Sequence, residues 1–143
     1  MKTTWPKQSE IKRDWYLVDV SGVILGRAAT NVASLLIGKG KIEKVSNYDC
    51  GDFVIVLNSD KIKVTGKKLQ DKMYYRHTGF AKGLRQENLS DLLKRDSRKV
   101  FTFAVKNMLP NNKLRDTMIT RLYIYKDGNH PHEAQKPTEI KLK

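Results

Sequence analysis

The chain has 143 residues, with 28 Lys and Arg against 15 Asp and Glu, a formal net charge of +13 and a pI near 9.9. So strong an excess makes a polyanion the expected partner, nucleic acid first and an anionic membrane surface second. Pattern argues against the membrane: no segment pairs a Lys/Arg face with a bulky apolar one, and no apolar run approaches the roughly twenty residues of a span.

Residues 1–143 are expected to form one domain. The single cysteine, Cys50, excludes an intramolecular disulfide and fits a reducing compartment. The first residues, Met1 to Pro6, lack the apolar region of a signal peptide, so the cytoplasm is the expected location.

Residues 1–14 are polar and basic and read as an arm. Tyr16-Leu17-Val18-Asp19-Val20 predicts a short strand stopped by Ser21-Gly22. Ala28, Ala29, Val32, Ala33, Leu35 and Leu36 recur at helical spacing, and Gly38 and Gly40 end that helix. After a polar stretch from Lys41 to Asp52 comes Phe53-Val54-Ile55-Val56-Leu57, an apolar run with no polar face. Such a run suits a strand covered on both sides, as in a parallel sheet. Strand, helix and buried strand make a βαβ unit and place the chain in the α/β class.

Residues 61–85 carry eight cations (Lys61, Lys63, Lys67, Lys68, Lys72, Arg76, Lys82 and Arg85) and one acid, Asp71. Tyr74, Tyr75, His77 and Phe80 are threaded among them. Dense positive charge interleaved with rings suits a phosphate backbone, because cations release condensed counterions and rings stack on bases. The bland meaning of a charge run is a solvated surface, but here the excess extends over the whole chain. Ile62 and Val64 alternate with lysines and Gly66 marks a turn, which predicts a hairpin-like excursion from the core. Alternation puts Tyr74 and Tyr75 on opposite faces, one to pack and one to meet RNA.

Asn88 caps a predicted helix bearing Leu89, Leu92 and Leu93. A second helix carries Phe101, Ala104, Val105, Met108 and Leu109, closed by Pro110. Asn111 or Asn112 caps a third with Leu114, Met118 and Leu122, and Leu122–Tyr125 reads as the last strand. Residues 129–143 read as a polar tail, and arm and tail are expected to order only on RNA.

No catalytic set is legible. Gly22-Val23-Ile24-Leu25-Gly26-Arg27 sits where a dinucleotide fold binds phosphate, but lacks the G-x-G-x-x-G spacing. It reads as a tight βα turn at which an RNA phosphate could still sit. His130-Pro131-His132 offers two imidazoles without a partner set, so no metal is expected, nor any cofactor. The candidate carriers of RNA binding are Lys67, Lys68, Lys72, Tyr74, Arg76 and His77 on the excursion, with Lys106, Lys113, Arg115 and Arg121 from the later helices. The rival readings are an RNA-binding protein acting as a chaperone and, behind it, a nucleotide-dependent enzyme.

Several motifs occur in a telling order: Lys12-Arg13-Asp14-Trp15-Tyr16, Leu25-Gly26-Arg27, Gly51-Asp52, Thr65-Gly66-Lys67-Lys68, Lys72 to Gly79, Ala104-Val105-Lys106, Met108-Leu109-Pro110 and His130-Pro131-His132. Together, from about residue 11 to Pro137, they resemble the bacterial type of the L-thirteen family of large-subunit ribosomal proteins. The resemblance implies a three-layer α/β/α fold with a short, mostly parallel four-stranded sheet, to which the basic hairpin-like excursion and extended termini are added. It implies binding to 23S ribosomal RNA, a role early in large-subunit assembly, neighbouring ribosomal proteins as minor contacts, and no enzymatic activity. It adds Arg27, His130, His132 and Gln135 to the RNA-binding candidates. Asn107 stands where the family usually has glycine, Ser46-Asn47 where it has Thr-Pro, and Ala81-Lys82 where residues around a glycine pair precede Gly83.

Overall fold

A computed structural model describes residues 5–142. Strand β1 (Trp15–Asp19), helix α1 (Leu25–Ile37) and strand β2 (Phe53–Leu57) form the expected βαβ unit. The two strands pair in parallel from Trp15 opposite Phe53 to Asp19 opposite Leu57. The apolar stripe of α1 buries Leu25, Ala28, Ala29, Val32, Ala33 and Leu36. The helix stops at Gly38, whose φ of +75° is open to glycine and strained for other residues. The chain then returns against the helix end so closely that a Cβ on Gly51 would fall 1.7 Å from the Leu36 carbonyl oxygen.

Val54, Ile55, Val56 and Leu57 are buried, as a run without a polar face requires. Beyond β2 the chain forms a short helix α2 (Lys68–Asp71) and an antiparallel pair, β3 (Met73–His77) and β4 (Leu84–Asn88). Helix α3 (Leu89–Met108) follows directly, with the Ser90 amide donating to the Asn88 side chain at 3.3 Å. Its backbone leaves helical geometry at Asp96 (φ −156°, ψ 95°), so the two helices read from the sequence are two helical segments meeting at a kink. Asp96 caps the second one, accepting from the Arg98 amide at 3.2 Å. Helix α4 (Leu114–Ile119) and strand β5 (Leu122–Ile124) complete the central part. The Leu114 amide donates to the Asn112 side chain at 3.1 Å, which settles the choice between the two asparagines.

The sheet runs β5-β2-β1-β6 and all its pairs are parallel. Its fourth strand, β6 (Thr138–Ile140), lies in the segment expected to be a polar tail. An edge strand of three residues, two of them polar, produces no apolar run, so composition alone misses it. The arm also differs from expectation. Pro6 is buried, the Trp5 ring meets that of Tyr48 at 6.1 Å, and Lys41 donates to the Lys12 carbonyl at 2.7 Å.

One face of the sheet presents Val18, Val54 and Val56 to a core shared with Leu36, Val100, Phe101, Val105 and Met118 of the helices. The opposite face carries stacked rings: Trp15 and Phe53 lie 4.3 Å apart and nearly parallel, with Tyr123 5.7 Å from Trp15. The segment leading into β6 crosses this face with a 3-10 turn, Glu133–Gln135, and sets the His132 ring 4.6 Å from Tyr123. The outer layers are therefore unequal, helices on one side and a short irregular crossing on the other.

Candidate nucleic-acid interface

The excursion is anchored before it projects. The Lys61 and Lys63 carbonyls accept from the Gly22 and Leu25 amides, each at 2.9 Å, and the Lys63 amide donates to Val23 at 3.0 Å. These bonds occupy the Gly22 and Leu25 amides and make the βα turn a joint that holds the excursion. Arg27, in the first turn of α1, stays exposed. Ile62 and Val64 pack against the core, and the cations between and after them face solvent.

From there β3 and β4 form a projecting ribbon. Its tip is closed by bonds between Thr78 and Gly83 and between Gly83 and Phe80, with Phe80 78% exposed. His77 is exposed, and its Nδ1 accepts from the Gly79 amide at 2.9 Å. Cross-strand register pairs Tyr74 with Glu87 and Arg76 with Arg85, which puts these four on one face. That face looks toward α3, because Tyr74 packs against Phe103 with ring centroids 5.7 Å apart. Burial pushes the Tyr74 hydroxyl pKa up, and the Lys72 ammonium stands 5.3 Å over its ring. Tyr75 lies on the other face and is 65% exposed, so one ring packs and the other is open to solvent.

Between the ribbon and α3 runs an open groove of about 770 Å³. The helix supplies Arg95 from the segment before the kink and, from the segment after it, Lys99, Phe103 and Asn107, four residues apart and hence one stripe. The ribbon supplies Arg76, Arg85 and Glu87. Glu87 is occupied by Arg95 at 2.7 Å. Among the described residues Arg76, Arg85 and Lys99 have no acid within ion-pair distance. A second concavity of about 540 Å³ is lined by Lys67, Lys68 and Lys72 with Asp71. Lys67, Lys68, Lys72, Tyr74 and Arg76 thus gather around two adjoining hollows. Sequence reasoning left Arg95, Lys99 and Phe103 out of the site, although their four-residue spacing was there to be read.

The other candidates lie elsewhere. Lys106 is half-buried with its ammonium 3.7 Å from Asp116, Lys113 is exposed, and Arg115 is half-buried with an unpartnered Nε. Arg121 must be reassigned. It is 5% exposed, bonded to the Asp49 carboxylate, and donates to the Leu36 and Asp52 carbonyls at 3.2 and 3.3 Å. A guanidinium so enclosed holds the fold and cannot reach RNA. His132 is likewise engaged, hydrogen-bonded to the Tyr125 hydroxyl at 2.8 Å, and its amide donates to His130 Nδ1 at 3.1 Å. Gln135 is exposed on the 3-10 turn. These three lie on the ring-bearing side of the sheet rather than in the groove.

Among the described residues no three His, Cys, Asp or Glu side chains gather as metal ligands would, and no helix is long and apolar enough to cross a membrane. What the surface offers chemically is positive charge beside exposed rings.

Comparison with known proteins agrees with that character. Residues 13–131 match the family model described as "Ribosomal protein L13". The chain is 46% identical over 142 residues to the large ribosomal subunit protein uL13 of Syntrophotalea carbinolica, covering 99% of this chain and 100% of that protein. It is 48% identical over 142 residues to the protein of the same name from Nitratidesulfovibrio vulgaris, covering 99% of each. Against that from Thermosipho africanus it is 47% identical over 139 residues, covering 97% of this chain and 93% of the relative. The chain belongs to the L13 family of ribosomal proteins.

Proposed function

We propose that the protein is a structural constituent of the large ribosomal subunit, in the cytoplasm, that binds 23S ribosomal RNA and supports early subunit assembly. Near-full-length similarity to large-subunit proteins supports the location. The observation that carries RNA binding is the collection of Lys67, Lys68, Lys72, Arg76, Arg85 and Lys99 around two hollows whose nearby acids are Asp71 and the already paired Glu87. Such a surface binds by charge and shape, with phosphate contacts fixing register and few contacts reading sequence. Lys106, Lys113 and Arg115 extend the contact along α3 and α4. Neighbouring ribosomal proteins are minor partners, and the protein performs no reaction.

Gradient fractionation of a lysate tests this reading. The protein is expected with large subunits and with their assembly precursors. Recovery wholly in the soluble fraction overturns it in favour of a non-ribosomal RNA-binding protein.

A further inference from the structure

The groove between the β3–β4 ribbon and α3 is more than a charged surface. Phe103 projects into it, 42% exposed although it sits on a helix that buries Phe101 and Val105. Part of the ring packs against Tyr74, and the rest is open to the groove. Arg76 and Arg85 face each other across the ribbon in direct register. Like charges in that position destabilise the pair unless an anion lies between them. Lys99 stands one helical turn before Phe103 and adds a third cation, unpaired among the described residues. Asn107, one turn after it, supplies amide donors and an acceptor. The volume of about 770 Å³ lies within the range of small-ligand clefts, roughly 300–1,000 Å³.

Ring, facing cations and amide lie along one groove. A continuous RNA duplex offers phosphates but keeps its base faces stacked inside. An unpaired nucleotide offers both a phosphate and a free base face. Resting on the RNA-binding reading above, we propose that this groove receives an unpaired, unstacked nucleotide of the RNA. Its base lies against Phe103, its phosphate sits between Arg76 and Arg85, and its edge is within reach of Asn107. A peptide segment of a neighbouring protein is the competing occupant. The unpaired cations favour RNA, because a peptide would have to be strongly acidic to satisfy them.

Full-length chain and a 23S ribosomal RNA transcript provide the test. The complex is irradiated with ultraviolet light, digested with nuclease and protease, and its nucleotide adducts are mapped by mass spectrometry. In parallel, affinity for the same transcript is measured for the parent, Phe103→Leu and Phe103→Trp. Leucine keeps apolar bulk and removes the ring, and tryptophan keeps a ring. Base stacking on a side chain is worth roughly 1–3 kcal/mol, about a five- to hundred-fold change in affinity. The expected result is an adduct on Phe103, at least a five-fold loss for Phe103→Leu with an unchanged salt slope, and recovery in Phe103→Trp. If the parent binds the transcript and either the adduct or the loss is missing, the inference is overturned while the RNA-binding reading stands. A cross-link from Lys99 to another protein in purified large subunits, without an RNA adduct, assigns the groove to the peptide instead. Failure of the parent to bind the transcript at all overturns the underlying reading as well.

Discussion

Arg76 and Arg85 are direct cross-strand partners in the β3–β4 ribbon, two cations on one face with no acid among the described residues paired to either. A ribbon selected for its own stability would place opposite charges there. The arrangement predicts that stability and RNA affinity move in opposite directions when it is changed. Arg85→Glu converts a repulsive pair into an attractive one, a gain of about 0.5–1 kcal/mol. Thermal melting should rise by roughly 2–4 °C. Affinity for 23S ribosomal RNA should fall, and the slope of log affinity against log salt should drop by roughly 0.7–0.9 for the lost phosphate contact. A variant that melts higher and binds like the parent would remove Arg85 from the interface.

Arg121 behaves as the reverse case. Its guanidinium is enclosed by Asp49 and by the carbonyls that end α1 and precede β2. Arg121→Ala leaves the Asp49 carboxylate with Arg13, 3.6 Å away, as its cationic partner and the Gly51 amide, donating at 3.3 Å, as its hydrogen-bond donor. Removing one member of a buried pair costs about 3–5 kcal/mol. The melting temperature should fall by roughly 10 °C or more. RNA affinity measured well below that melting point should stay close to the parent's, since Arg121 presents no charge to solvent.

The contrast between these two arginines shows which parts of the molecule a sequence discloses. A run such as Val54-Ile55-Val56 determines its own burial, and Asn88 before Leu89 marks its own helix start, because the relevant partners are local. Arg121 and Asp49 are 72 residues apart, and nothing local distinguishes an enclosed arginine from an exposed one. Strand β6 is illegible for a related reason: Ile140 is its one inward apolar residue, and its pairing with Val18 is long-range. The groove was half legible. The ribbon's cations announce themselves by density, but Arg95, Lys99 and Phe103 join them only once α3 is known to lie beneath the ribbon.

The C-terminal strand leads to a third prediction. Ending the chain at Pro137 removes β6 and with it Ile140 and Leu142, both packed against the core. It also leaves the edge of β1 unpaired, a template for association with other chains. The loss should be about 2–4 kcal/mol for two partly buried side chains, read as a lower urea midpoint. Light scattering should show concentration-dependent association. A truncated chain that is as stable and as monodisperse as the parent would make β6 dispensable.

Two carboxylates give the protein a defined acid response. At Asp19 partial burial would raise the pKa, but hydrogen bonds from the Asn58 side chain and the Ser21 amide, with the nearby Lys61, outweigh it and hold the value below the usual 3.8. At Asp96 the Arg98 guanidinium does the same against a smaller effect of burial. A depressed folded-state pKa means that the unfolded chain takes up protons first as pH falls. The stability these groups contribute is fully present above the unfolded value. It is lost progressively as pH falls from there through the folded-state pKa. The urea midpoint of the parent should decline below about pH 4. In Asp19→Asn/Asp96→Asn that decline should be shallower, with Asn still able to cap at position 96. Parallel acid limbs in the two proteins would show that the pair does not set the response.

The last prediction separates interface from core. Lys67, Lys68, Lys72 and Arg76 are exposed, while Val54, Ile55 and Val56 are fully buried. Replacing the four cations with alanine removes charge but little packing, so each should shift stability by no more than about 0.5 kcal/mol. If all four meet phosphates, the salt slope for 23S ribosomal RNA should fall by roughly 3, at 0.7–0.9 per contact. Replacing the three strand residues with alanine does the opposite. Each truncation leaves a cavity in the shared core, and together they should remove most of the folding free energy, at roughly 1–4 kcal/mol each. RNA binding by the core variant should return in proportion to the folded fraction as temperature is lowered, because its basic surface is unchanged. Melting and RNA affinity are needed for both variants under one buffer. If the four-cation variant unfolds, or keeps the parent's affinity and slope, the ribbon is not the interface. The contact then moves to Lys106, Lys113 and Arg115, where the same substitutions can be repeated.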